Sequence, residues 1–180
     1  LLGVAAGHLP GDSPGRLRCR RRAAEANGIE LTGGHGPAPG QNLASPDAGV
    51  RADAQAFFTR LFGQMELLGA RLIGGGLYSY WPVDYTRPFN KAEDWQRSID
   101  SMRALAPAAW NCGITLCMEV LNRFEGYLLN TVQEGVRYVA ELGEENVRLL
   151  LDTFHMNIEE PSLPEAIRQA GPLLGHFHTG

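Results

Sequence analysis

The chain has 180 residues, of which 44% are hydrophobic and 20% are charged, and its formal net charge is −4. This composition is typical of a folded globular domain and disfavours disorder. A net negative charge gives no general attraction to nucleic acid or to an anionic membrane, and no apolar run reaches the roughly 18 residues of a membrane span. We therefore expect a small-molecule partner, no nucleic-acid or membrane partner and, without a signal-peptide pattern at the start, a cytoplasmic location.

The three cysteines are Cys19, Cys112 and Cys117, an odd number with no CxxC pair. This pattern indicates neither a disulfide framework nor a thiolate zinc site. We expect Cys112 and Cys117 to be small buried hydrophobic residues.

Apolar strands alternate with amphipathic helices along the whole chain. The predicted strands are residues 1–6, 29–32, 71–75, 114–119, 147–152 and 173–178. The predicted helices are residues 16–26, 45–68, 91–111, 131–142 and 163–170, and residues 8–15 are predicted to form a loop. This alternation of about six strands with five helices predicts a parallel sheet with the helices outside it.

A complete α/β barrel has eight strand–helix units and about 250 residues. We therefore expect a (β/α)8 TIM barrel that is incomplete in this chain, with about six of the eight units and without the first and last strands. Residues 1–180 would form a single partial barrel domain. Because the chain opens at Leu1 without methionine and closes directly after a strand, we expect it to be cut at both ends.

Three consecutive strands end on side chains that can bind a metal: Glu119, Asp152 and His178. About one strand and one returning helix separate each of them from the next, as in a βα unit. The carboxyl ends of parallel strands meet at the active-site face of a barrel. Two carboxylates and an imidazole suit Mn²⁺, Mg²⁺ or Co²⁺ better than a structural zinc ion. A single carboxylate at the end of a strand more often caps a helix or forms an ion pair. Three such residues at the ends of three consecutive strands favour a metal site.

Further polar residues follow the same strands. Glu125 and His155 are predicted to lie in loops over the same face, where each could hydrogen-bond a substrate hydroxyl. Glu119 could act as a general base on a carbon next to a carbonyl. On the last strand we take His176 and His178 to point to opposite sides, so that only one enters the site. We choose His178, which is nearer the carboxyl end.

Three aromatic residues, Tyr78, Tyr80 and Trp81, fall in the loop after the strand at 71–75. Aromatic residues in such a loop either line a pocket for a sugar or another small polar ligand, or cap the helix layer. The sequence leaves both interpretations open.

Long motifs in the chain resemble the ketose 3-epimerase family, which includes the D-tagatose and D-psicose (D-allulose) 3-epimerases. The similar segments are Gly74 to Pro82, Glu119 to Glu125, Leu151 to Glu160 and Gly175 to Gly180, together with Asn42 to Ser45. The resemblance implies an isomerase of carbohydrate metabolism with a (β/α)8 barrel and a divalent metal, Mn²⁺ or Co²⁺, with Mg²⁺ as a further option.

The resemblance also implies roles for single residues. The implied metal ligands are Glu119, Asp152 and His178. Glu125 and His155 would hold the sugar near its O1 and O2, and Trp81 would form a wall of the sugar pocket. The implied reaction inverts C3 of a free ketohexose, of the D-psicose/D-fructose or D-tagatose/D-sorbose type, through a cis-enediolate. Glu119 would be one of the two glutamates that move the proton.

Other family features fall outside the sequence. The second glutamate, which is also the fourth metal ligand, belongs to the eighth strand, and the aromatic substrate residues belong to the first. Gly3 stands where we would expect a glutamate. The resemblance also implies a homo-oligomer, a dimer or a tetramer, when the protein is full length.

Two alternatives remain beside the epimerase. One is a related metal-dependent sugar isomerase of the same barrel superfamily, which would move hydrogen between C1 and C2. The other is an inactive sugar- or metal-binding fragment, whose exposed sheet edges would promote association.

Overall fold

A computed structural model describes residues 2–5 and 11–180. Its six parallel strands are β1 (Leu2–Ala5), β2 (Leu31–Gly34), β3 (Leu72–Gly75), β4 (Thr115–Glu119), β5 (Val147–Asp152) and β6 (Leu174–His178). They form one sheet, in which each strand pairs with the next in chain order. A sheet that winds in one direction is typical of a barrel, whereas a doubly wound sheet reverses its strand order.

A helix follows each of the first five strands, and most of these helices pack against a neighbour along the chain. They are α1 (Pro14–Ala26), α2 (Ala48–Leu68), α3 (Lys91–Asn111), α4 (Val132–Leu142), α5 (Thr153–Glu159) and α6 (Leu163–Ala170), with two short 3₁₀ turns at Pro39–Gln41 and Gly171–Leu173. Of the helices in residues 11–180, none combines the length and apolar character that a membrane span requires.

Local sequence signals set the ends of these helices. Asp47 begins α2, where its side chain accepts a hydrogen bond from the Gly49 amide at 2.7 Å. The helix ends at Gly69, whose φ of 81° is in the left-handed region that favours glycine. Thr131 and Gly143 cap α4 in the same way. Capping satisfies backbone groups that the first and last turns of a helix leave unpaired.

The main core lies between the sheet and the helices. The apolar side of α2 is buried there at Phe58, Leu61, Phe62, Met65 and Leu68, and the partly buried Phe57 packs against this core. Leu116 and Met118 of β4 pack into the same core. Since side chains alternate along a strand, Cys117 and Glu119 point to the concave face of the sheet. The pleat therefore directs Glu119 into the interior of the barrel.

Apart from shifts of two or three residues at the starts of α1 and α2, the structure differs from the predicted elements in two places. The second strand is β2 rather than 29–32, because the Ile29 amide donates to Ala24 O at 2.9 Å and closes the end of α1, with Gly28 left-handed at φ 63°. A sixth helix, α5, occupies a segment predicted to be a loop. The predicted strand at 1–6 is confirmed over β1, while its end residues 1 and 6, and residues 8–10 of the predicted loop, lie outside the described residues.

Candidate active site

A cleft of about 470 Å³ opens at the carboxyl ends of the strands. Five of the six predicted site residues line it: Trp81, Glu119, Glu125, His155 and His178. The sixth, Asp152, ends β5 and is directly opposite His178 of β6 in the strand register. The strand ends therefore bring together the side chains that the sequence separates by many residues.

Carboxylates and imidazoles converge at one point of this cleft. Glu119, Asp152 and His155 each offer a ligand atom, and the three atoms lie within 4.8 Å of one another. The Nδ1 atom of His178 is 3.5 Å from Asp152 Oδ2 and 3.9 Å from Glu119 Oε1. Oxygen and imidazole ligands at this spacing could hold a divalent metal ion. Either histidine is close enough to be the third ligand.

The prediction that His176 and His178 point to opposite sides of β6 is wrong. Residues two apart on a strand point to the same side. Both rings line the cleft, and their centroids are 5.0 Å apart. Burial lowers the pKa of His176, and the neighbouring His178 lowers it further.

His155 lies on α5 rather than in a loop, because Asp152 caps this helix directly after β5. Its Nε2 atom is 3.6 Å from Glu119 Oε1. Its Nδ1 atom is 3.3 Å from the main-chain nitrogen of Asn122 and 2.8 Å from the side-chain nitrogen of the same residue. Burial lowers the pKa of His155, but the hydrogen bond and negative charge of Glu119 outweigh it, so the pKa is raised.

Trp81 and Glu125 form another part of the wall of the cleft. The indole Nε1 of Trp81 donates to Glu125 Oε2 at 3.1 Å. The ring lies against Gly36, where a Cβ atom would come within 3.2 Å of it. Tyr78, by contrast, is fully buried, and its hydroxyl donates to the main-chain oxygen of Glu119 at 2.8 Å. Of the loop aromatics, Trp81 thus lines the cleft, whereas Tyr78 lies in the core.

Glycine backbone forms the side of the cleft next to β2 and β3. Gly75 has a φ of 136°, and a Cβ atom there would lie 2.0 Å from His35 O. Only glycine fits this conformation and this approach without strain. The absence of side chains here leaves room for a ligand beside Glu119.

Sequence reasoning missed three residues that support the site. Asn122 contacts both Glu125 and His155. Glu159 accepts hydrogen bonds from the Arg123 main-chain nitrogen at 2.6 Å and from its Nη2 at 2.7 Å, which ties the loop after β4 to α5. Asn122 and Arg123 stand inside the long motif that begins at Glu119, and that position was the available signal.

Comparisons with known proteins agree with this architecture. A sequence profile described as "xylose isomerase-like TIM barrel" matches residues 4–180. The chain is 52% identical over its full length to a D-psicose 3-epimerase of Ruminiclostridium cellulolyticum and 51% identical to one of Agrobacterium fabrum. It spans 61% and 62% of the length of these relatives.

A crystal structure of D-psicose 3-epimerase with D-tagatose, from Clostridium cellulolyticum H10, superimposes with a TM-score of 0.98. The match is 52% identical and covers 99% of this chain and 62% of that one. The similarity confirms the resemblance expected from the motifs. Together with six parallel strands in barrel order, it also confirms the prediction of an incomplete TIM barrel.

Proposed function

Because the chain belongs to the family of xylose isomerase-like TIM barrels, we propose that the protein binds a free ketohexose beside a divalent metal ion and inverts the sugar at C3. The observation that carries the proposal is the convergence of Glu119, Asp152 and two imidazoles at the carboxyl ends of β4 to β6, in a chain 52% identical to a D-psicose 3-epimerase. The proposed sugar pairs are D-psicose with D-fructose and D-tagatose with D-sorbose.

In this proposal the metal ligands are Glu119, Asp152 and His178. Each ends its own strand, and Asp152 and His178 are paired in register. His155 is the weaker candidate because its Nδ1 faces two N–H donors of Asn122, which leaves the proton of the neutral ring on Nε2, the nitrogen nearer Glu119. The donor set fits Mn²⁺ or Co²⁺, with Mg²⁺ as a further option. When bound, the ion supplies positive charge that polarises the carbonyl of the sugar.

Residues of the chain are proposed to abstract the proton, bind the sugar and shield it from water. The Glu119 carboxylate takes the proton from C3, and the electron pair of the broken bond moves towards the C2 carbonyl to give a cis-enediolate. His155 and Glu125 hydrogen-bond the sugar near O1 and O2. The Trp81 ring covers an apolar face of the sugar and limits the access of water. Return of a proton to the opposite face of C3 completes the inversion, and the resemblance assigns this step to a glutamate of the eighth strand.

The test is an exchange assay on the 180-residue chain and on a chimera with the flanking segments of the 52% identical relative. Each protein is incubated with Mn²⁺ or Co²⁺ and D-fructose in D₂O, and NMR follows deuterium at C3 and the appearance of D-psicose. We expect both in the chimera. Glu119→Gln should lower the rate by at least about 100-fold, since it removes the general base. Glu145→Gln, an exposed carboxylate between α4 and β5, is the matched control and should change little.

The outcomes separate the alternatives. Activity in the chimera but not in the chain alone would support the proposal for the whole protein and make the chain an inactive fragment. Deuterium at C1 with formation of an aldose would replace the epimerase by an isomerase acting between C1 and C2. No exchange in either protein would overturn the proposal.

A further inference from the structure

Asn122 lies between two residues of the proposed sugar site and is only 1% exposed. Its side-chain Nδ2 donates to Glu125 Oε1 at 3.3 Å and lies 2.8 Å from His155 Nδ1. Its Oδ1 accepts a hydrogen bond from the main-chain nitrogen of Phe124 at 2.9 Å. Both amide protons and the amide oxygen of Asn122 therefore have a partner.

These partners fix the orientation of the amide. A carboxylate such as Glu125 only accepts hydrogen bonds, and a main-chain N–H such as that of Phe124 only donates. A reversed amide would place the Asn122 oxygen against the Glu125 carboxylate and its nitrogen against the Phe124 N–H. Both contacts would be repulsive, so Nδ2 must face Glu125 and His155.

The same geometry determines which nitrogen of His155 carries the proton. Nδ1 faces the Asn122 amide donor and, at 3.3 Å, the main-chain N–H of the same residue. A ring nitrogen that faces two donors must be the unprotonated acceptor, so the neutral ring carries its proton on Nε2. Nε2 is the atom that lies 3.6 Å from Glu119 Oε1.

We propose that Asn122 is a positioning residue that selects the Nε2–H tautomer of His155 and holds Glu125 in place with the same amide group. His155 then presents a hydrogen-bond donor to the cleft, and His178 is the imidazole whose lone pair is left for a metal. The importance of this tautomer for catalysis rests on the proposed function. The tautomer itself follows from the contacts of Asn122 alone.

The first test is the tautomer of His155 in the 180-residue chain. The chain is labelled with ¹⁵N-histidine, freed of metal and held near pH 9, well above the ordinary histidine pKa of about 6.5. Long-range ¹H–¹⁵N correlation spectra distinguish protonated from unprotonated ring nitrogens, and loss of signals in His155→Gln assigns the residue. We expect an unprotonated Nδ1 and a protonated Nε2.

The second test exchanges the donor for an acceptor. Asn122→Asp keeps the shape of the side chain but places an acceptor against Nδ1, and we expect the proton of His155 to move from Nε2 to Nδ1. Asn157→Asp makes the same chemical change on the exposed side of α5 and should leave the His155 spectrum unchanged. If Asn122→Asp does not fold, the wild-type spectrum still decides between the two tautomers.

Two results would overturn the inference: a protonated Nδ1 in the wild-type chain, or a folded Asn122→Asp variant with the wild-type pattern. Neither spectrum needs metal, sugar or turnover. If the exchange assay of the proposed function fails while the tautomer is as expected, the positioning contact stands without the epimerase. If the assay succeeds and the tautomer is wrong, only the role of Asn122 is lost.

Discussion

His155 and His178 approach the same carboxylate, Glu119, from surroundings that differ sharply. The His155 side chain is 8% exposed and is held by Asn122, whereas the His178 side chain is 47% exposed. The strands that carry or precede these two histidines also differ in burial. The strand β5, from which His155 follows, is mostly buried, while β6 is partly exposed along its length and, within the described residues, pairs only with β5.

This difference shows how far strand position determines the order of a site. A side chain that directly follows an interior strand has ordered neighbours on both sides, and a ligand fixed in advance costs less entropy to bind. On the open edge, β6 depends on a close approach at Gly175, where a Cβ atom would lie 2.5 Å from Arg148 Cβ and 2.8 Å from Cys117 Sγ. The stability of this approach should control the position of His178.

Labelling of the Cys117 thiol measures how tightly β6 packs at Gly175, and it has the largest expected effect. Burial raises the pKa of Cys117 to about 12, against about 8.5 for an ordinary thiol. The reactive thiolate should therefore be about 3000-fold scarcer at neutral pH, and we expect Cys117 to react at least about 1000-fold more slowly than the exposed Cys19. Mass spectrometry of iodoacetamide-treated chain after digestion gives both rates.

Unfolding in urea supplies the control, since both cysteines should then react at similar rates. Fast labelling of Cys117 in the native chain would show that β6 separates from β4 in solution. In that case the contrast between the two sides of the cleft would be larger than the static structure indicates.

Metal affinity sharpens the comparison between the two histidines. We expect His178→Ala to weaken Co²⁺ binding by more than about 100-fold, because it removes a ligand. His155→Ala should weaken it by about 10-fold, as for residues that only support a metal site. Isothermal titration calorimetry on the 180-residue chain measures both affinities. A larger loss of affinity in His155→Ala than in His178→Ala would make His155 the third metal ligand. The strand register would then no longer support His178 as a ligand.

Sequence reasoning succeeded where one strand or one helix carries its own signal. The predicted bounds of α3, residues 91–111, are confirmed: Gly113 marked its end in the sequence, and the structure shows that Asn90 caps its start. Glu119 and Asp152 were found because each closes a buried apolar run. Cys117 is buried as expected, whereas Cys112 is only partly buried.

It failed where a residue depends on a distant partner or serves two purposes. Helix α5 has only seven residues, too few for a clear period, and its cap is the same Asp152 that was assigned to a metal. The role of Asn122, in the loop after β4, depends on His155 of α5, which is 33 residues further along the chain and which no local pattern reveals. The error over His176 came from the strand period and not from tertiary structure.

Loss of the ion pair between Glu159 and Arg123 has the smallest expected effect. It tests whether this ion pair orders the side of the cleft that carries Glu125 and His155. The Glu159 side chain is 5% exposed, and hydrogen bonds from Arg123 hold its pKa below the usual value. Glu159→Gln keeps the shape but removes the charge, so we expect a loss of about 1–3 kcal/mol in the free energy of unfolding near pH 7. Urea unfolding measures the loss, and Glu145→Gln should stay within about 0.5 kcal/mol of wild type.

The pH dependence identifies the charge as the cause. Because the pKa of Glu159 is lower in the folded than in the unfolded chain, its stabilisation is complete above the unfolded value of about 4.3 and is lost as pH falls through the folded value. The difference between wild type and Glu159→Gln should therefore be constant above about pH 5 and shrink below about pH 4. A difference that does not change with pH would mean that the charge of Glu159 is not what holds the loop of Glu125 against α5. The order on this side of the cleft would then come from packing and from Asn122.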